Sequence, residues 1–434
     1  MAEGLLEALL GHEADSARSP DWLIEARRAA AAALARDGLP GPRSEPWKYT
    51  SLRALERRNP EPRDAEASTR PIDDAMFRLP GIDGPRLVFV NGVLRSDLSR
   101  IELQDGLSIS SLGASDAAAL EPWRVLLARE YLDPAAAFAR LNTALAVDGP
   151  LVRVAPAKRI ANPVHLVFIG AAGERETAWN ARALIEIGEG ASLTLIEHHV
   201  GAGGVAQLGN TVAQYALAPD SRLDLVQIQD AADTATLIRR SEFALAAKAA
   251  LSMHTLEIGS QMTRHDLVVD LGGNASRLAS RGVFALRARQ HADTHLDIQH
   301  NARDTQSDIV WRGVADQRAR GVFHGAITVA AGADGSDASL SNKNLLLSPN
   351  AEIDTQPVLE IHADEVKAAH GATVGQLDEH ALFYLRSRGL PPDAARRLLI
   401  TAFCSAVFGD LSPSSLREHL DALLATRLPN AKED

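Results

Sequence analysis

The chain has 434 residues, 46% of them hydrophobic, enough to bury a substantial core in two or three domains. A formal charge of -11 argues against nonspecific nucleic-acid binding, and with aromatics at only 4% the interior depends on Ala, Leu, Val and Ile. Cys404 is the only cysteine, which excludes an intramolecular disulfide; no apolar signal core and no run long enough to cross a membrane is present, so a cytoplasmic location is the simpler expectation.

Residues 1–40 read as helical, with Leu5, Leu6, Leu9 and Leu10 on one face and an alanine-rich stretch from Ala26 to Ala35. Gly38, Pro40, Gly41 and Pro42 stop that pattern. The cluster Trp47–Lys48–Tyr49 follows, either a docking clamp or, more simply, the fastener of the helical region to the next domain. Polar, proline-containing residues 57–73 read as a linker, closing an N-terminal helical region and linker at 1–80.

Residues 81–150 form a transition. RLVFVNGVL at 86–94 reads as strands around an Asn-Gly turn, LQDGLSISSL from residue 103 continues the strand pattern, and 114–146 returns to a helical reading. From 151 to 375 short, turn-bounded strands dominate: GASLTLIEHH, DSRLDLVQIQD, KAALSMHTLEIG, QHADTHLDIQHN and GVFHGAITVAAGA. Such recurrence, roughly every 20–30 residues and without helical connectors, belongs to stacked solenoid coils; a β-sandwich is the alternative. Residues 376–434 turn helical again. Leu377, Ala381, Leu382 and Leu385 lead to Gly389; Pro391 and Pro392 open a helix carrying Leu398, Leu399, Ile400 and Phe403; Ser412 is placed to cap a third with Leu416, Leu420, Leu423 and Leu424. These helices could cap the last coil or present an apolar face to a partner.

Phosphate-binding, zinc-protease and nucleophile-elbow motifs are all missing, so any ATP hydrolysis belongs to a partner. His291, His295 and His300, and the pair His198–His199, fall on strand-like stretches where alternation turns neighbours to opposite faces; a stand-alone histidine metalloprotein is therefore a minor alternative. Asp297 beside His295, and Asp364 beside Glu365, leave a polysaccharide-processing solenoid enzyme as another, although adjacency does not build a sugar cleft. Cys404, inside LLITAFCSAV, reads as helix packing. His370, before Gly371 at the strand-to-helix junction, is the sharper candidate, able to bind a metal or to satisfy a buried carbonyl.

The block SDASLSNKNLLLSPNAEIDTQPVLEIHADEVKAAHGATVGQLDEHALFYLRSRG, with EPWKYTSL at 45–52 and HNARDTQSDIVWRGV at 300–314, resembles the SufB/SufD family of iron–sulfur cluster assembly proteins, nearest its SufD branch. The resemblance implies a mainly β fold, a right-handed parallel β-helix (β-solenoid) between N- and C-terminal helical regions. It also implies a noncatalytic subunit partnered by a SufB-like subunit and a SufC-like ATPase, with a homodimer when isolated. Residues 376–434 would then be the ATPase-partner-binding domain. Val366, Lys367, His370 and Gly371, with Leu382, Leu385, Leu398 and Phe403, are the expected interface residues. Where the family often reads VKCSHGAT, this chain has Ala368 in place of the cysteine, so no local thiolate accompanies His370. His370 would donate at most one nitrogen to a transient iron–sulfur cluster shared with the SufB-like partner. Gly325–Ala326–Ile327 stands where the family carries a GKI-like pattern, which leaves a lysine role unsupported, and no nucleotide fingerprint assigns a flavin site.

Overall fold

A computed structural model of the chain describes residues 3–11, 19–41, 43–62, 70–102, 104–171 and 173–428. Residues 63–69 of the expected 57–73 linker, residues 1, 2 and 12–18 of the expected N-terminal helical region, the stop residue Pro42, the strand reading at Leu103 and the tail from 429 lie outside them. Two ten-stranded sheets stack along one axis, and strands that follow each other in sequence alternate between them. Ala250 pairs with Arg277 and Arg320 with Glu352, all in parallel, so one coil takes about 30 residues. This is a β-solenoid; the sandwich alternative fails because parallel neighbours in each sheet are one coil apart, joined through the opposite sheet.

Alternation decides which side chains fill the interior. In the strand Met262–Leu271, Leu267, Val269 and Leu271 enter the central core, while Arg264, Asp266 and Asp270 occupy the opposite parity. Each coil repeats the arrangement in register: Leu267 stacks on Leu296 and Val269 on Ile298, and no coil buries its apolar row without its neighbours. Two glycines are required by this geometry. Asn91 and Gly92, at φ 48° and 76°, turn the strand Arg86–Val90 back into Val93–Leu94, and a Cβ on Gly92 would meet the Asn180 carbonyl oxygen at 2.3 Å. A Cβ on Gly282 would meet the Trp311 indole of the next coil at 2.3 Å.

The outer faces are covered unequally. Helices Glu3–Leu10, Asp21–Asp37 and Ala137–Leu145 lie over the first sheet, where Leu34, Phe138 and Leu141 join Ala178, Leu208 and Ile238 in one apolar cluster. The helical reading of 114–146 breaks into short pieces, since Pro122 and Pro134 each start a new turn.

The three C-terminal helices, Glu379–Ser387, Pro392–Ser405 and Ser414–Arg427, do not close the last coil. The second and third lie against the outer face of the second sheet, where Ile400, Cys404, Phe408, Leu416, Leu420 and Leu424 meet Ile196, Val226, Ile228, Leu256, Val283 and Val314. The second-sheet strands that carry these residues are therefore apolar on both faces, which is why the helices settle there. Ser412 is not the cap of the third helix: Pro413 holds that position without a side-chain cap bond.

Candidate functional site at the open end of the solenoid

Strands Glu352–Ile361 and Lys367–Gly375 end their respective sheets, so each has a partner on one side only. After Gly375 the chain leaves the sheet because Asp378 starts a helix, its carboxylate accepting from the backbone N–H groups of His380 (2.8 Å) and Ala381 (3.4 Å). The last coil thus presents unpaired backbone groups along two edges, which is a template for another chain.

Register places His370 over Leu340 and Ala368 over Ala338, whose side chains belong to the central core. The same parity carries Val374 over Asn344 and Ile361 over Val329. These positions point inward in every earlier coil. Here no further coil covers them, and Val374 and Ile361 remain 41% and 42% exposed. His370 is exposed too, and its side chain makes no hydrogen bond or ion pair with any described residue. A buried carbonyl for His370 to satisfy is therefore not what this chain offers. Gly371 lies within the strand without a positive φ, and a Cβ there would meet open space, so it serves neither a special turn nor a close approach inside the chain. Lys367 lies outward over Asp337, while Val366 is half-buried against the core.

Behind this mouth lies a polar layer that sequence reading missed. Thr355 Oγ1 donates to Asn342 Oδ1 at 2.8 Å, and Asn344 Nδ2 donates to the Thr373 carbonyl at 3.1 Å, tying the terminal strand to the coil beneath. Deeper still, between the two sheets, Arg239 donates to Glu257, whose other oxygen accepts from Thr294 at 2.8 Å. His265 Nδ1 sits 3.0 Å from Glu257 and 2.9 Å from Arg239, with Ser241 on its other nitrogen at 3.1 Å. Burial resists ionisation of Glu257, but its hydrogen bond with His265, the Arg239 charge and Thr294 outweigh burial and hold its carboxyl below the usual range. Burial and the Arg239 charge push His265 down to about 4, so it is neutral at pH 7. One coil further on, Tyr215 and Gln227 both donate to Glu197, which burial raises. Arg239, Glu257 and His265 lie on three different strands, so no local motif could have revealed them.

The remaining candidates scatter. His291 and His295 take outward parity on the first sheet and His300 the inward parity, bonded to Thr305 and Ser307 at 2.7 and 2.9 Å. His198 faces the C-terminal helices and His199 faces the interior. Among the described residues no group of three or more His, Cys, Asp or Glu is placed to hold a metal ion. Cys404 is fully buried, and burial pushes its thiol up to about 12. Trp47 is buried against Phe138 with ring centroids 5.5 Å apart, its indole N–H donating to the Ala135 carbonyl at 3.0 Å, and Arg264 lies 4.5 Å over its ring. Lys48 is exposed and sits 5.3 Å from the half-buried Tyr49 ring. Leu382, Leu385 and Phe403 are half-buried, whereas Leu398 is exposed; Phe383 and Tyr384, which the sequence reading passed over, are 71% and 56% exposed. No helix of the described residues is long and apolar enough to cross a membrane.

Two family descriptions together span this architecture. The SufBD core domain of SUF-system iron–sulfur cluster assembly matches residues 168–403, and the SufBD N-terminal region matches 12–166. The chain belongs to the SufBD family. Iron–sulfur cluster assembly protein SufD of Escherichia coli is 30% identical over 411 residues, covering 91% of each chain. A SufBD family protein of Synechocystis is 28% identical across 97% of this chain and 95% of its own, and one of Mycobacterium tuberculosis is 28% identical over 68% and 73%. The core match of this SufBD protein runs through the open coil and into the second C-terminal helix, ending at Phe403.

Proposed function

We propose that this SufBD protein is a noncatalytic, SufD-type subunit of a cytoplasmic SufBCD-type assembly that builds iron–sulfur clusters. One observation carries the reading: inward-register residues of the last coil, His370, Val374 and Ile361, stand exposed at a solenoid end whose strands have free edges. A SufB-like solenoid end would continue both sheets and cover those side chains, and in isolation a second copy would do so less specifically. His370 would lend one imidazole nitrogen to the cluster, which is the cargo of the assembly. Ala368, on the same face, has no donor atom, so thiolates must come from the partner.

The SufC-like ATPase would engage the C-terminal helices, where Phe383, Tyr384 and Leu398 are exposed on elements anchored to the solenoid by Ile400, Phe408 and Leu420. Those helices follow the last strand directly, so a pull on them would reach the docking end through Gly375–Asp378. Copurification of the tagged chain with its endogenous partners, followed by assay of ATPase activity and bound iron and sulfide, tests membership. Isolation as a free chain without an ATPase would defeat it.

A further inference from the structure

The turns that carry the chain from the second sheet back to the first border an open cavity of about 500 Å³, lined by Arg287, Arg289, Gln290, Gln317, Arg318 and the single carboxylate Asp233. His291 pairs with Arg320 in register, and Arg318 N–H donates to the Ala288 carbonyl at 2.9 Å, so Arg289 and Arg318 hold the same turn position in adjacent coils. Stacked coils are about 4.8 Å apart, which puts the two arginines on neighbouring backbone positions within reach of one ligand. The same column continues to Ser260 on one side and Asn350 on the other, so no acid interleaves them. Both arginines are exposed and make no ion pair with any described residue. Asp233 does not neutralise them: Arg287 takes it at 3.5 Å, Arg427 at 4.0 Å and the Gln290 amide at 3.2 Å.

Like charges in directly opposed positions repel. In a chain of net charge -11, such a pair facing a cavity of this size has a use when an anion bridges it. We propose that this cavity binds a small multivalent oxyanion, a molecule with two or more phosphate or carboxylate groups, clamped between Arg289 and Arg318. The planar guanidinium fork donates to either group in the same bidentate way, and Gln317 supplies a further amide at the rim. Arg287 stays engaged with Asp233 and shapes the wall.

Titration calorimetry of the full-length chain at low salt, with inorganic pyrophosphate in one series and citrate in another, tests the clamp. Saturable one-to-one binding of pyrophosphate alone assigns a phosphate compound, of citrate alone a carboxylate, and of both the shared oxyanion chemistry. Arg289→Gln/Arg318→Gln should weaken that binding about tenfold or more while leaving the circular dichroism spectrum unchanged, since both side chains are exposed. Asn350→Asp, which places a carboxylate beside Arg318, should weaken it in the same direction without removing either arginine. Failure of both probes to bind the wild-type chain, or equal binding by the double variant, overturns the proposal.

Discussion

His370 stacks directly on Leu340, in the register that buries side chains throughout the solenoid, and yet it is exposed. Its difference from Leu340 is one coil of cover. The terminal coil therefore behaves as a cross-section through the core, with inward-register residues waiting for a surface that continues the two sheets.

The two residues in the cysteine question differ sharply in access. Ala368 is exposed on the face that carries His370, and Cys404 is buried. A thiol reagent should find no fast-reacting group in the native wild-type chain and one after denaturation. Ala368→Cys should add one fast-reacting native thiol without loss of stability, because nothing packs on that position. A fast-reacting thiol in the native wild type would contradict the packing of Cys404.

The ion pair Arg239–Glu257 is fully inside the solenoid. Glu257→Gln keeps the shape but leaves the guanidinium without its charge partner, and should cost about 3–5 kcal/mol in urea unfolding. A change well under about 1 kcal/mol would show that water already reaches Arg239.

Burial lowers the pKa of several histidines, among them His198, down to about 3, and His265 and His300, down to about 4. Their folded pKa values lie below the unfolded value near 6.5, so the stability they permit is fully present above that pH. It falls as pH drops from about 6.5 towards the folded values, by up to about 1.4 kcal/mol per unit for each histidine. His198→Leu, against the C-terminal helices, should flatten this slope between pH 6.5 and 4. An unchanged slope would mean that His198 is solvated.

Much of the solenoid is legible from sequence because alternation repeats with turn punctuation, and Asn91-Gly92 writes its hairpin directly. The placement of the C-terminal helices is written less openly. Its trace is that strands such as Arg222–Asp230 are apolar at both parities, with Leu223 and Leu225 inward and Val226 and Ile228 outward. The exposure of His370 and the Arg239–Glu257–His265 cluster had no local signal. The first depends on which coil comes last, and the second on residues brought together from separate coils.

Phe383 and Tyr384 are large, exposed and carried by a short helix that buries none of its residues fully. Phe383→Ser/Tyr384→Ser should leave the unfolding free energy within about 0.5 kcal/mol of wild type, as surface changes do, and sharply reduce capture of the ATPase subunit. Undiminished capture would move the ATPase contact elsewhere.

The most direct measurement of the central claim is the iron and sulfide content of the assembly purified with His370→Ala against wild type. If the open end is a shared site, the variant should retain its partners, since the exposed imidazole makes no bond within the chain, and hold markedly less iron and sulfide. An intact variant assembly with wild-type iron and sulfide would contradict a role for His370 at that end.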